Sequence, residues 1–408
     1  MKIMRDLAAA TACLSLLAAC SDGKPPIAAP TRSSTAPSKS ASAPATPAPS
    51  ETITPSTRWR NVLGPKLKDT SGLVDVLAKG PKDAWAAGFE AGADDDEGLP
   101  VLAHWNGSAW TRVPVKNSYL RVQAFDMTGP DDIWLAGGSG AVSQWNGRVW
   151  TERHPFGVAE GYKAYDVAAE KGHAVIVGSG PVGAFAVEWG GKRFELLQSG
   201  IDGVFASVAL KDGHVWMVGG EPREDCRGIS PMVAHSTPDE GWSYAEDMAF
   251  PAIPEGRLNS VLAITPTDVW AVGAIGGYDR EEYMPARCRR KPGDTHRFDP
   301  QKAVSEPLVM HWDGSAWKRM ELPPWKGSLN RLTAFGKNDV WASGTDSLNP
   351  GKAILLHYDG TSWTREAISA GGTGYAAIAA VPGTSDLWGV GSVGEETDSE
   401  QPFIVRRH

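Results

Sequence analysis

The histidines are the first residues to weigh, because imidazole ligates metals and moves protons near neutral pH. There are nine of them. His104, His235, His311 and His357 recur at one position of a repeated pattern, where other copies carry Gln144, Glu188 and Arg406. Side chains held apart on successive repeats cannot converge on one ion, so these read as structural polar groups. No Gly-x-Ser-x-Gly, His-Glu-x-x-His or phosphate loop is present. Gly178-Ser-Gly180-Pro-Val-Gly183 has the spacing of a dinucleotide fingerprint, but its proline and the lack of a following helical pattern make it a turn. Asp94, Asp95 and Asp96 are a weak Ca²⁺ candidate, because they lack the alternate-residue ligands and glycine of a known loop. Arg112, Arg153, Arg319 and Arg365 fall at strand ends and read as solvated charges that discourage edge pairing. With no catalytic constellation, the expectation is a protein that is not an enzyme and needs no cofactor.

What positions these residues is a repeat of about fifty residues, all strand-like. Its marker is an Asp-x-Trp step: Asp83 to Trp85, Asp132 to Trp134, Asp268 to Trp270, Asp339 to Trp341 and Asp386 to Trp388. His214-Val-Trp216 and the Trp-less His173-Ala-Val175 are weaker copies. A second marker is a hairpin such as His104-Trp-Asn-Gly-Ser-Ala-Trp110 or His311-Trp-Asp-Gly-Ser-Ala-Trp317. Asn-Gly and Asp-Gly accept positive φ and close tight turns between strands. Of seventeen tryptophans only Trp325 lies off the repeat, so the others read as packing between neighbouring units rather than a sugar platform.

Seven four-stranded units predict an all-β, seven-bladed β-propeller over residues 57–408. The last copy stops after its third strand, Pro402 to Arg407, whereas Thr57 to Val62 matches an isolated fourth strand. The N-terminal segment should therefore complete the last blade and close the ring. The pattern resembles exported bacterial β-propeller repeats, loosely related to kelch and Asp-box propellers. That resemblance speaks to fold; the Asp-box comparison also brings a sialidase-like glycan hydrolase or lyase into view, which would need carboxylates and arginines converging on a deep pocket.

Residues 1–19 read as an export signal: Lys2 and Arg5 precede an apolar run from Leu7 to Ala19, too short to span a bilayer. Leu17-Ala18-Ala19-Cys20 resembles the lipobox of bacterial lipoproteins, which implies cleavage before Cys20, its acylation and a palmitate-type anchor. Residues 20–56 are dominated by Pro, Ala, Ser and Thr, and read as a disordered tether. The predicted location is the extracytoplasmic side of a cell membrane, or an outer membrane where the envelope has one. The chain carries a net charge of −8, which argues against nucleic acid as a partner.

The remaining informative segments are loops that break the repeat. The longest runs from Ile275 to Ser305 in blade 5, and loops of that length in a compact domain are functional or disordered. Cys226 and Cys288 fall in loops on one face of adjacent blades and are expected to form a disulfide in an oxidising compartment. Arg287, Arg289 and Arg290, with aromatic anchors at Tyr278, Tyr283, Phe298 and Trp325, suit a protein or charged-glycan partner. The expected function is thus a monomeric, lipid-anchored binding protein of the cell envelope. The alternatives are an envelope assembly scaffold working through its blade sides and the glycan-acting enzyme.

Overall fold

The computed structural model describes residues 58–408 apart from 69, 91–97, 117–119, 139, 159–160, 171, 225–227, 240, 254, 277–303, 350–351, 367, 369–373 and 394–400. It is an all-β, seven-bladed propeller: seven antiparallel sheets of four strands each. In blade 1 these are Ser71–Gly80, Asp83–Glu90, Leu99–Trp105 and Trp110–Val113, from the channel outward. A further short strand, Pro155–Val158, belongs to none of the seven sheets.

The ring closes as the sequence predicts. Trp59–Val62 pairs antiparallel with Gln401–Arg407, setting Trp59 against Arg407 and Val62 against Ile404. The amide of His408 donates to the carbonyl of Arg58 and extends this latch.

Between blades the core is aromatic. The second-strand tryptophan of one blade packs against the hairpin of the next. Trp388 of blade 7 meets Trp105 and Trp110 of blade 1, each at 5.2 Å. Trp216 meets Trp312 and Trp317 of blade 5, and Trp270 meets Tyr358 and Trp363 of blade 6. These second-strand tryptophans are at most 1% exposed, so each contributes most of the burial energy of a large aromatic.

Every inner strand carries a β-bulge near its loop-face end, at Leu73/Asp75, Val122/Ala124, Ala164/Asp166, Phe205/Ser207, Leu258/Ser260, Leu329/Arg331 and Tyr375/Ala377. The bulge explains why Leu73 and Val76 share a core although they are three residues apart. The extra residue resets which face the side chains occupy.

Candidate binding face and channel wall

Strands alternate direction, so each blade has two ends. Turns between first and second strands, and the hairpins between third and fourth, lie at one end, the hairpin face. Loops between second and third strands, and crossings between blades, lie at the other, the loop face.

On the hairpin face the repeated histidines are tied down. In blade 1, Asp83 Oδ1 accepts from Trp85 Nε1 at 2.8 Å and lies 2.9 Å from His104 Nε2, with the imidazole 4.3 Å from the indole. Blades 5 and 6 repeat this clamp with Asp268, Trp270 and His311 and with Asp339, Trp341 and His357. Blade 3 exchanges the charges, pairing His173 with Glu188 at 3.2 Å. Blade 7 replaces histidine by Arg406, which holds Asp386 through two nitrogens at 3.1 and 2.7 Å.

Blade 4 departs most. His214 Nδ1 and His235 Nε2 are 3.1 Å apart, with ring centroids 5.3 Å apart and planes 17° from parallel. That is an N–H···N hydrogen bond between the two rings. Burial, and then the neighbouring His214, lower the pKa of His235 to about 4. Where no aspartate is available, as in blade 4, the Trp216 Nε1 is left unsatisfied, as is Trp388 Nε1, whose aspartate is held by Arg406. Among the described residues, no group of three His, Cys, Asp or Glu side chains is arranged to hold a metal.

A cleft of about 450 Å³ opens at the joint of blades 6 and 7, bordered by Trp341, His357, Asp339, Arg407, His408 and Arg58. It exists because Arg407 stands where blade 1 has Trp105. Its guanidinium lies 4.6 Å over Trp341 and bonds Glu366 at 2.8 Å, filling less space than an indole.

The channel wall holds residues that the sequence alone did not single out. Asp75, Asp166, Ser207, Ser260 and Arg331 occupy one inner-strand position, just after the bulge. Asp75 Oδ2 accepts from Phe125 N of blade 2 at 3.3 Å, and Asp166 Oδ2 accepts from Val208 N and Ser207 Oγ of blade 4. Two residues further along its strand, Asp126 Oδ2 accepts from Ala169 N of blade 3 at 2.7 Å. Each carboxylate also caps its own following amide, Val76, Val167 or Met127.

The later joints use neutral groups. Ser207 Oγ accepts from Val261 N at 3.2 Å, Asn259 Nδ2 donates to Leu329 O at 2.8 Å, and Thr333 Oγ1 accepts from Ala380 N at 2.8 Å. At the seventh joint the corresponding residues are Ala377 and Ala379.

Protein surrounds the three carboxylates, although each keeps one edge open to the channel. That burial pushes Asp75 up to about 7, partly offset by Arg331 and reinforced by Asp166. It pushes Asp126 up to about 6, against the pull of its amide donors and Lys79. Asp166 is raised as well, again by burial first, with Arg331 and its hydrogen bonds opposing. Blades 1, 3 and 6 are not neighbours, so these mutual effects act across the channel. The carboxylates and arginine that a glycan-cleaving pocket would need do face one space, but both oxygens of each carboxylate are committed to backbone amides.

On the loop face the short connections, such as the Gly180–Gly183 turn of blade 3, are described whole, and the longer ones at their roots. Gly276 N donates to Glu255 O, and Glu255 also lies against Gly228 at the end of the blade 4 loop. At the other root, Gly327 N donates to Ser305 O and Ser347 N to Lys326 O, while Lys326 pairs with Glu306. Of the described flanking residues, Gly276 is thus bonded to the blade 4–5 crossing and Ser305 to the first strand of blade 6. An Asp346-capped turn beside Ser305 presents Leu348, 64% exposed.

Trp325, expected as a free aromatic anchor, is instead half-buried and packs with the Trp270 and Leu329 cluster, because its ring lies over Gly327. Three arginines expected to be solvated are also paired. Arg112 bonds the buried Glu90 at 2.8 Å, Arg153 lies 3.9 Å over Trp189, and Arg365 reaches the buried Asp346 at 3.6 Å. Their partners are remote in sequence. Cys20, Cys226, Cys288, Tyr278, Tyr283, Arg287, Arg289, Arg290, Phe298, Asp94, Asp95 and Asp96 lie outside the described residues.

No protein-family model and no curated protein matches the chain. Solved structures match its fold. The WD40 β-propeller domain of Doa1 superposes with a TM-score of 0.55 at 8% identity, over 86% of this chain and 97% of that one. YCF48 bound to D1 peptide gives 0.53 at 14% identity, over 87% and 98%. Sqt1 of Chaetomium thermophilum, bound to the N-terminus of ribosomal protein L10, gives 0.50 at 13% identity, over 81% and 86%. At these identities the similarity is one of architecture.

Proposed function

We propose that this chain is a non-enzymatic binding protein, held outside a membrane by lipid on Cys20, that receives a polypeptide partner on its loop face. The observation that carries this reading is the contrast between the two ends of the ring: the hairpin face holds the repeated clamps and the Arg58–His408 contact, whereas the loops that break the repeat are rooted on the other face. Two supports are weaker. The repeated polar residues are engaged in clamps and joints, leaving the loops as the part of the chain without repeat duty. Two propellers of similar fold, YCF48 and Sqt1, were solved with polypeptide ligands.

The test is cross-linking on intact cells with the wild type and with a variant whose residues 277–303 are replaced by a short Gly-Ser turn. Partner capture should vanish while the folded domain keeps its thermal transition. Undiminished capture would remove the loop face from the reading, and capture of polysaccharide alone would replace the polypeptide by a glycan. A Cys20→Ser variant should leave the membrane fraction; if it stays, the anchor is wrong.

A further inference from the structure

At four joints of the ring, the space beside the second-strand tryptophan is taken by an aromatic residue that ends the third strand of the next blade. Trp134 meets Trp189 at 6.1 Å, Trp216 meets Trp312 at 5.5 Å, Trp270 meets Tyr358 at 5.0 Å and Trp388 meets Trp105 at 5.2 Å. At the joint of blades 6 and 7 the tryptophan is present as Trp341, but the next blade offers Arg407 at that strand position. The cleft left there, about 450 Å³, falls within the roughly 300–1,000 Å³ of small-molecule sites.

Arg407 is built into the wall of this cleft. It is only 7% exposed, its Nε donates to Glu366 Oε1 at 2.8 Å, and its Nη1 donates to the carbonyl of Ser385 at 3.3 Å. Nη2 has no acceptor among the described residues, although the side chain borders the cleft. A guanidinium fixed through two nitrogens, with the third unengaged, is a pre-oriented donor for an oxyanion. Asp339 offers the complementary group. Its Oδ1 serves Trp341 Nε1 and His357, while Oδ2 has no partner among the described residues. Trp341 and Phe335 supply apolar wall, and Arg58 also borders the space, so two arginines accompany one aspartate.

We propose that this cleft is a binding site for an aromatic ring that carries a carboxylate. The ring lies beside Trp341 and Phe335, and the carboxylate accepts from Arg407 Nη2. The ligand supplies the aromatic body that four other joints carry within the chain, together with the anion this arginine lacks. Asp339 Oδ2 is left to accept an N–H from the same molecule. A small aromatic acid and the aromatic carboxy-terminal residue of a polypeptide share this chemistry. The site lies on the hairpin face and is independent of the loop-face reading.

Calorimetric titration of the full-length protein with N-acetyl-tryptophan tests the site, with N-acetyl-tryptophanamide as the control without a carboxylate. The acid should bind saturably with a dissociation constant of about 1 mM or less, and the amide at least about tenfold more weakly, as expected for one hydrogen bond to a charged group. Arg407→Trp should rebuild the packing seen at Trp105 and abolish binding. That change touches the latch, so Ser385→Trp provides a second check. Ser385 is exposed at the rim, and an indole there should block the cleft and weaken binding at least about tenfold. A peptide ending in tryptophan that binds more tightly than the N-acetyl acid would identify a chain terminus as the source, and equal affinity a small acid; both uphold the site. Absence of saturable binding, equal affinity for acid and amide, or undiminished binding in Ser385→Trp would overturn the proposal.

Discussion

Between blades 1 and 4 the inner ring is joined through carboxylates; between blades 4 and 7 it is joined through two hydroxyls and an amide. Each joint meets the same need, a partner for a backbone group of the neighbouring inner strand beside the bulges. A charged acceptor makes the stronger hydrogen bond but carries a desolvation cost, whereas a neutral one is weaker and indifferent to pH. One architecture thus contains a sector joined by carboxylates and a sector joined by neutral groups, and Ser207 sits at their border, donating to Asp166 and accepting from Val261.

The largest effect expected on this comparison is a control that strikes both halves alike. Trp59→Ala removes a buried indole from the latch and its bond to Glu366, and should cost about 3–5 kcal/mol with little pH dependence. Denaturant unfolding would show it, and a loss that vanished in acid would contradict the division drawn here. Next comes Asn259→Ala, which orphans the carbonyl of Leu329 and should cost about 1–3 kcal/mol, level from pH 5 to 8. Ser207→Ala should cost about 1–2 kcal/mol, because it removes both the donor to Asp166 and the acceptor for the amide of Val261. Asp75→Asn should be smallest. It keeps an acceptor for Phe125 while removing charge, so thermal stability at pH 8 should hold or rise and the acid-side gain should shrink.

Much of this was legible before any coordinates. Blade count, the Trp59 latch and the Asx-Gly hairpins repeat in the sequence, and repetition exposes them. The histidines could be set aside as structural because they recur one per blade, although their aspartate and tryptophan partners emerge only when strands are paired. The channel carboxylates were hidden for a physical reason. Asp126 sits two places beyond the position of Asp75 and Asp166, and bulges shift the alternation, so the three look like ordinary polar residues of half-buried strands. Arg112, Arg153 and Arg365 misled because their partners come from other strands. Trp325 misled because an aromatic residue outside a repeat can still be core. The aromatic and basic residues of the long insertion remain expectations, since they lie outside the described residues.

The latch also bears on how the molecule is made. Ribosomes deliver a polypeptide from its amino end, so Trp59 to Val62 emerges early and has nothing to zip onto until Gln401 to Arg407 arrives. For the whole of that interval the fourth strand of blade 7 lacks the strand it pairs with and the nascent ring gapes. A truncation ending before the final strand would leave two raw sheet borders, a species destined for clumping or degradation rather than a smaller working wheel.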